Sequence, residues 1–283
     1  MDTIRLNNTL VSLTQARVMA ILNVTPDSFY DGGQHNSLDA AVDRAGVLIE
    51  EGADILDVGG ASSRPGAREI TVDEETDRVL PVVEVLAKAY PTMPLSVDTC
   101  RSRVAHHCIE AGAAMVNDIT AGAGDAAMLR TVAEGGVAYA AMHMRGTPAT
   151  MQESPRYTDV VAEILAALHD VDQRAAAAGI HDVVLDPGFG FGKSVAHNYT
   201  LLRRLSEFTV LGRPLLVGLS RKSMIYKVLD GSPATALNGT SALHMAALLN
   251  GARIIRVHDV APAREVIELH EALKGTRLST LGG

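Results

Sequence analysis

One phrase recurs along this chain and restricts its fold more than any other feature: a Gly, a short apolar run, then a polar residue. Gly52 leads through Ala53-Asp54-Ile55-Leu56 to Asp57, Gly112 through Ala113-Ala114-Met115-Val116 to Asn117, and Gly251 through Ala252-Arg253-Ile254-Ile255 to Arg256. Looser copies run from Gly136 into Val137 through Met142, and from Gly179 into Val183-Val184-Leu185-Asp186. Gly suits the left-handed position that ends a helix, and the run is short enough for a strand buried on both faces. Strand candidates fall at 18–23, 54–58, 94–98, 115–119, 137–142, 182–186, 214–218 and 253–257, with helical patterns in most of the gaps. Such alternation means a parallel sheet with right-handed crossovers. Eight units in about 260 residues predict an α/β fold, a (β/α)8 TIM barrel, with an open doubly wound sheet as its rival. The barrel core spans about 18–274 within a single domain, 1–283. The leading TIRLNNTLVSL reads as a β-hairpin around Asn7-Asn8, outside the barrel.

Composition supports a packed core and excludes several partners. With 47% hydrophobic residues the chain is too apolar to be disordered, and with no Trp and four Phe its core must be filled by aliphatics. A Phe in a loop then needs its own explanation. Phe29, Phe189 and Phe191 lie in Gly/Pro-rich loops and are expected at the barrel mouth, where flat substrates could be sandwiched. A net charge of −8 argues against nucleic acid as a partner. Cys100 and Cys108 show no metal or redox spacing, no run is apolar enough to span a membrane, and MDTIRLNN lacks a basic and then apolar leader. A soluble, cytoplasmic protein is expected.

Barrel enzymes carry their chemistry at the C-terminal ends of the strands. Those ends read Asn23, Asp57, Asp98, Asn117, His143, Asp186, Ser220, and Arg256 with His258. Any one of them could simply begin a loop; the whole row points to a ligand pocket. The first loop, Asn23 to Phe29, carries Asp27 and an aromatic and reads as a lid. The second, Gly59 to Gly66, combines permissive backbone, two hydroxyls and Arg64, a mixture suited to a phosphate-type anion. At Ser220-Arg221-Lys222-Ser223 two cations open a helix against its dipole, which an anionic or electron-rich ligand would explain.

Two attractive motifs fail. Gly188-Phe189-Gly190-Phe191-Gly192-Lys193-Ser194 has three residues, not four, between Gly188 and Gly192-Lys193, so it is no phosphate loop, and its G-x-G-x-G spacing misses the dinucleotide fingerprint. Ser220 lacks a nucleophile elbow. The ten histidines show no zinc spacing; His106, His107, His169, His181, His197, His244 and His270 read as structural, and His143, at a strand end, is the moderate site candidate. A magnesium ion bridging a phosphorylated substrate would leave little trace.

Asn23 to Phe29, Gly59 to Gly66, Ser96-Val97-Asp98-Thr99, Asn117-Asp118-Ile119, Met142-His143, Asp186 to Lys193, Ser220 to Ser223 and Arg256-Val257-His258 together resemble the dihydropteroate synthase family, in order, from about residue 18 to 274. The resemblance implies condensation of 6-hydroxymethyl-7,8-dihydropterin diphosphate with 4-aminobenzoate to give 7,8-dihydropteroate and pyrophosphate, the folate-pathway step blocked by sulfonamides. By the same resemblance Asp186, Asn117 and Asp98 accept the pterin's N–H groups, Met142, Ile119 and Phe191 wall its ring, Lys222 reaches its carbonyl side, and Gly218 lets the backbone approach. Arg256 serves both the pterin and the diphosphate. Ser63, Arg64 and His258 complete the diphosphate grip, and Asn23 contributes to a magnesium ion on it. Phe29, Pro65, Lys222 and Ser223 fall to the aminobenzoate. Asp27, Asp98 and Lys222 are the expected catalytic residues, and a homodimer is implied. The family commonly has Thr where this chain has Ser63, which keeps the hydroxyl. A methyltetrahydrofolate methyltransferase-like barrel and a non-catalytic pterin-binding barrel are the alternatives; neither needs both the diphosphate grip and the lid.

Overall fold

The computed structural model describes residues 3–7, 9–24, 34–61, 68–147, 151 and 155–275. A hairpin, β1 (Thr3–Leu6) and β2 (Thr9–Ser12), precedes eight parallel strands: β3 (Arg17–Asn23), β4 (Ile55–Gly59), β5 (Leu95–Asp98), β6 (Met115–Asp118), β7 (Ala138–Met142), β8 (Val183–Asp186), β9 (Leu215–Val217) and β10 (Ala252–Val257). They close into a barrel in the order β10-β3-β4-β5-β6-β7-β8-β9, as the alternation requires, so the open-sheet rival is excluded. Between them lie α1 (Gln34–Glu50), α2 (Val72–Ala89), α3 (Ser102–Glu110), α4 (Met128–Gly135), α5 (Val160–Ala177), α6 (Val195–Arg203), α7 (Ser223–Tyr226) and α8 (Leu237–Leu249), with α9 (Val260–Leu273) after β10.

The recurring glycines do what the phrase demands. Gly52, Gly112, Gly136, Gly179 and Gly251 all have positive φ, between 63° and 112°, where a Cβ would strain the backbone. Each reverses a helix into the next strand. The strands then bury both faces, in two separate apolar clusters. Val18, Leu56, Val97, Val116, Leu185 and Val217 face the helices, while Met19, Ile55, Met115, Val184, Leu216 and Ile254 face the barrel axis.

Alternation in β1 sends Ile4 and Leu6 to the same side, and both join the axial cluster together with Leu13. The hairpin thus adds apolar side chains to the barrel interior, and Asn7, at φ 53°, makes its turn. Sheet register sets the polar strand ends in a row, pairing Asn23 with Gly59, Gly59 with Asp98, Asp98 with Asn117, and Met142 with Asp186.

Candidate active site at the barrel mouth

Arg256 is the centre of the mouth. Its Nε donates to Asp57 Oδ2 at 2.6 Å and its Nη2 to Asp98 Oδ2 at 2.6 Å. Asn117 Nδ2 donates to the same Asp57 oxygen at 3.0 Å, which leaves the Asn117 carbonyl oxygen as an acceptor. Asp57 has no exposed surface, and its Oδ1 is buried without a partner among the described residues. It orients two neighbours rather than meeting a ligand. Burial pushes the Asp98 carboxyl above the usual carboxylate range; Asp57, Glu75 and Asp118 add to this, and Arg256 opposes it. Burial works against the charge of Arg256, yet Asp57 and Asp98 outweigh it and hold the guanidinium firmly protonated.

Behind Asp98 a second pair ties helix to strand. Glu75, buried in the first turns of α2, accepts from Thr99 Oγ1 at 2.6 Å and pairs with Arg101 at 2.9 Å. Thr71 starts that helix by accepting from the Glu74 amide at 3.1 Å.

Across the mouth, Asp186 ends β8 and its Oδ1 accepts from the Gly188 amide at 2.7 Å. Burial raises its carboxyl, with Lys222 the first group opposing the rise. The Lys222 ammonium sits 4.5 Å above the Phe191 ring and donates to the Phe189 carbonyl. Burial lowers it to about 8, with Asp186 and Asp98 pulling the other way. Asp98, Asp186, Lys222 and Arg256 therefore act on one another as a single charged cluster. Met142 is buried and Ile119 half-buried on neighbouring strand ends, and Gly218 follows β9, where a Cβ would lie 3.6 Å from Lys222 Nζ.

Not every expected ligand group is free. Arg221 accounts for one of the two cations by a fork to Asp259, at 2.8 and 2.7 Å, and so is structural. Ser220 Oγ lies 2.9 Å from His258 Nδ1 and accepts from the His258 amide at 3.2 Å, which orients His258. Ser223 opens the one-turn α7, and Asn23 is exposed at the end of β3. Asp27, Phe29, Ser63, Arg64 and Pro65 lie outside the described residues.

Phe189 corrects an expectation. It is fully buried in the layer between barrel and helices, not at the mouth; what it offers the site is its carbonyl. Lys193 was missed as a component, although it is only 2% exposed and bonds to the end of β7. So were the orienting role of Asp57 and the tie made by Glu75. His143 is half-buried and driven down to about 3 by burial, with Lys193 and Arg145 adding to the effect, so it is neutral.

A (β/α)8 barrel whose mouth gathers the Asp98 and Asp186 carboxyls and an amide beside a lysine and an arginine defines a barrel enzyme for a small ligand rich in N–H donors that also carries negative charge. The family model of pterin binding enzymes matches residues 19–258. Dihydropteroate synthase of Escherichia coli (strain K12) is 48% identical over 266 residues, 93% of this chain and 94% of that protein. The Yersinia pestis dihydropteroate synthase, solved in complex with a sulfonamide drug, superposes with a TM-score of 0.90 at 44% identity, covering 96% of this chain and 99% of that one. The Xanthomonas albilineans dihydropteroate synthase with 4-aminobenzoic acid gives 0.89 at 42% identity, covering 96% and 98%. The chain belongs to the dihydropteroate synthase family of pterin-binding enzymes.

Proposed function

We propose that this mouth joins 6-hydroxymethyl-7,8-dihydropterin diphosphate to 4-aminobenzoate, giving 7,8-dihydropteroate and pyrophosphate. The observation that carries the reading is that acceptors, Asp186, Asp98 and the Asn117 carbonyl, and donors, Lys222 and Arg256, are gathered at the same strand ends. A pterin edge supplies N–H donors to the first set and a carbonyl to Lys222, while Met142, Ile119 and Phe191 wall its flat ring. Gly218 keeps bulk away from that side. Arg256 spans pterin and diphosphate, with His258, Ser63 and Arg64 completing the anion grip and Phe29, Pro65, Lys222 and Ser223 holding the aminobenzoate.

The bond from the pterin methylene carbon to the diphosphate oxygen breaks, and its electron pair leaves with pyrophosphate. The electron-rich ring stabilises the resulting cation. The aryl amine then forms the new C–N bond at that carbon and loses a proton. No enzyme nucleophile is required. Asp98 and Asp27 stabilise positive charge at the reacting centre, and the cations stabilise the leaving group.

Among the described residues no cluster of three or more His, Cys, Asp or Glu could hold a metal by itself. A single neutral amide oxygen at the mouth nonetheless suits an ion held mainly by a diphosphate, since magnesium keeps most of its shell in phosphate and water oxygens. Asn23 would be that protein ligand. Bound magnesium would supply charge neutralisation to the departing pyrophosphate.

Two further features belong to this reading. Both cysteines are free, which fits a reducing cytoplasm, and no described helix is long and apolar enough to cross a membrane. A homodimer fits the apolar face left on α8 and α9, where Leu249, Leu269 and Leu273 are exposed. The test is dihydropteroate formation from the two substrates with and without magnesium, repeated with a sulfonamide. Product only with metal, suppressed by the drug, is expected. No product in any condition would refute the reading and favour a non-catalytic pterin barrel.

A further inference from the structure

The stretch from Gly188 to Lys193 has the composition of a phosphate loop without its spacing, and the chemistry above gives its lysine no task. Lys193 is 2% exposed and makes no ion pair among the described residues. Its Nζ lies 2.8 Å from the Gly188 carbonyl, 3.0 Å from that of Phe191, 3.3 Å from that of His143, and 3.1 Å from His143 Nδ1. An ammonium has three protons, so four acceptors occupy all of them and leave none for a ligand. Two of the acceptors belong to the loop after β8; the other two belong to His143, immediately after β7.

The same two loops meet again nearby. Tyr157 Oη donates to the Gly192 carbonyl at 2.9 Å, and Arg145 stacks on the Tyr157 ring at 4.0 Å. Backbone approaches so closely that a Cβ on Gly188 would lie 1.9 Å from the His143 oxygen, and one on Gly192 would lie 2.4 Å from that of Arg145. Three features of the mouth are built on the clasped loop. The Gly188 amide holds Asp186, the Phe189 carbonyl accepts from Lys222, and the Phe191 ring lies beneath that ammonium.

We propose that Lys193 is a positioning residue for the pterin: it clasps the β8 loop to the end of β7, and so sets Asp186, Phe191 and Lys222. Burial lowers the Lys193 amine to about 7, with Asp186 opposing; in its ammonium form it can only donate, so His143 Nδ1 then accepts and the imidazole is the neutral tautomer with its proton on Nε2. The inference rests on reading Asp186, Phe191 and Lys222 as pterin groups.

Lys193→Met removes the donors and keeps most of the volume. With its fold checked by circular dichroism, the variant should lose about tenfold or more in pterin affinity by calorimetry, and its KM for the dihydropterin diphosphate should rise in step. Lys222 also serves the aminobenzoate, so the KM for 4-aminobenzoate at saturating pterin should rise too, but less than that for the pterin substrate, because its other expected contacts lie outside the β8 loop; general loosening of the barrel would not give that order. Tyr157→Phe, a milder cut in the same clasp, should move pterin affinity in the same direction by about two- to fivefold. Pterin affinity within about twofold of wild type in folded Lys193→Met would overturn the proposal. A measurement on the wild-type protein decides the matter even if that variant fails to fold. Nitrogen-15 NMR of His143 at about pH 6, where Lys193 is charged and His143 still neutral, should show the Nε2–H tautomer, and the Nδ1–H tautomer or an imidazolium would overturn the clasp. Asp186→Ala serves as the control. If it loses pterin affinity while Lys193→Met keeps it, the clasp fails and the pterin reading stands; if neither loses affinity, both fail.

Discussion

The mouth works because side chains that repel or attract one another are held within a few ångströms by groups that no ligand touches. Asp57 is the plainest case. It cannot meet a substrate, yet without it Arg256 would keep only Asp98, and Asn117 would be free to turn its amide. Its partners lie 60 and 199 residues away in sequence, so its role could not be read from local pattern. The acids at the strand ends were legible as a row because a strand buried on both faces has no other reason to end in a carboxylate. Which of them would be spoken for by protein was not. Lys222 carries a testable consequence at this scale. Its ammonium falls to about 8 by burial, so above that pH the free protein has lost a proton that the pterin complex holds. Affinity for pterin should fall above about pH 8, by up to about tenfold per pH unit. In Lys222→Met the weaker binding that remains should lack the dependence. Calorimetry between pH 7 and 10 checks both, and an unchanged profile in the variant would assign the titration to another group.

The elements show why motif spacing mattered more than motif composition. The helix expected to open at Ser220-Arg221-Lys222-Ser223 is only the one-turn α7, Ser223–Tyr226, because Arg221 sits at φ 56° and Lys222 is extended. Arg221 is held there by Asp259, just after the neighbouring β10, and by its amide's bond to Thr240 Oγ1 on α8, contacts made outside its own helix. Beyond β8, α6 over Val195–Arg203 is followed by a tighter turn over Leu205–Leu211. The loop after β8 was readable as flexible backbone with two rings, but not as two rings facing opposite ways. Phe189 goes into the helix layer and Phe191 stays at the mouth, a consequence of the backbone turning through Gly188, Gly190 and Gly192 at positive φ. Gly188→Ala tests that geometry. With φ at 72° and its Cβ driven into the His143 carbonyl, the substitution should cost at least about 3 kcal/mol in urea unfolding. A cost below about 1 kcal/mol would mean that the two loops are not packed as described.

For the whole molecule, an aromatic-poor chain is what a small closed barrel needs. Its axial cluster is filled by Met, Ile, Leu, Val and Ala, with the hairpin's Ile4, Leu6 and Leu13 joining from outside the barrel. The eight-fold repeat made that architecture legible from sequence alone. Assembly is a different matter, since an exposed apolar residue reads the same in a helix pattern whether it meets solvent or a second subunit. On α8, Ala242 and Leu249 are exposed and Met245 and Ala246 half-buried, an outward apolar stripe continued by Leu269 and Leu273 on α9. Leu249→Arg should convert a dimer to a monomer in light scattering without changing the melting profile of the barrel. A dimer unaffected by that change would place the contact elsewhere.

The central claim is that the carboxyls and cations at the strand ends form the pterin site. Titrating a pterin into the wild-type protein and into Asp186→Ala by calorimetry tests it most directly. Removing a buried carboxylate that accepts N–H bonds from the ring should cost at least about 3 kcal/mol, roughly a hundredfold in affinity, while the barrel remains folded. Equal affinity in the two proteins would contradict the assignment of the mouth.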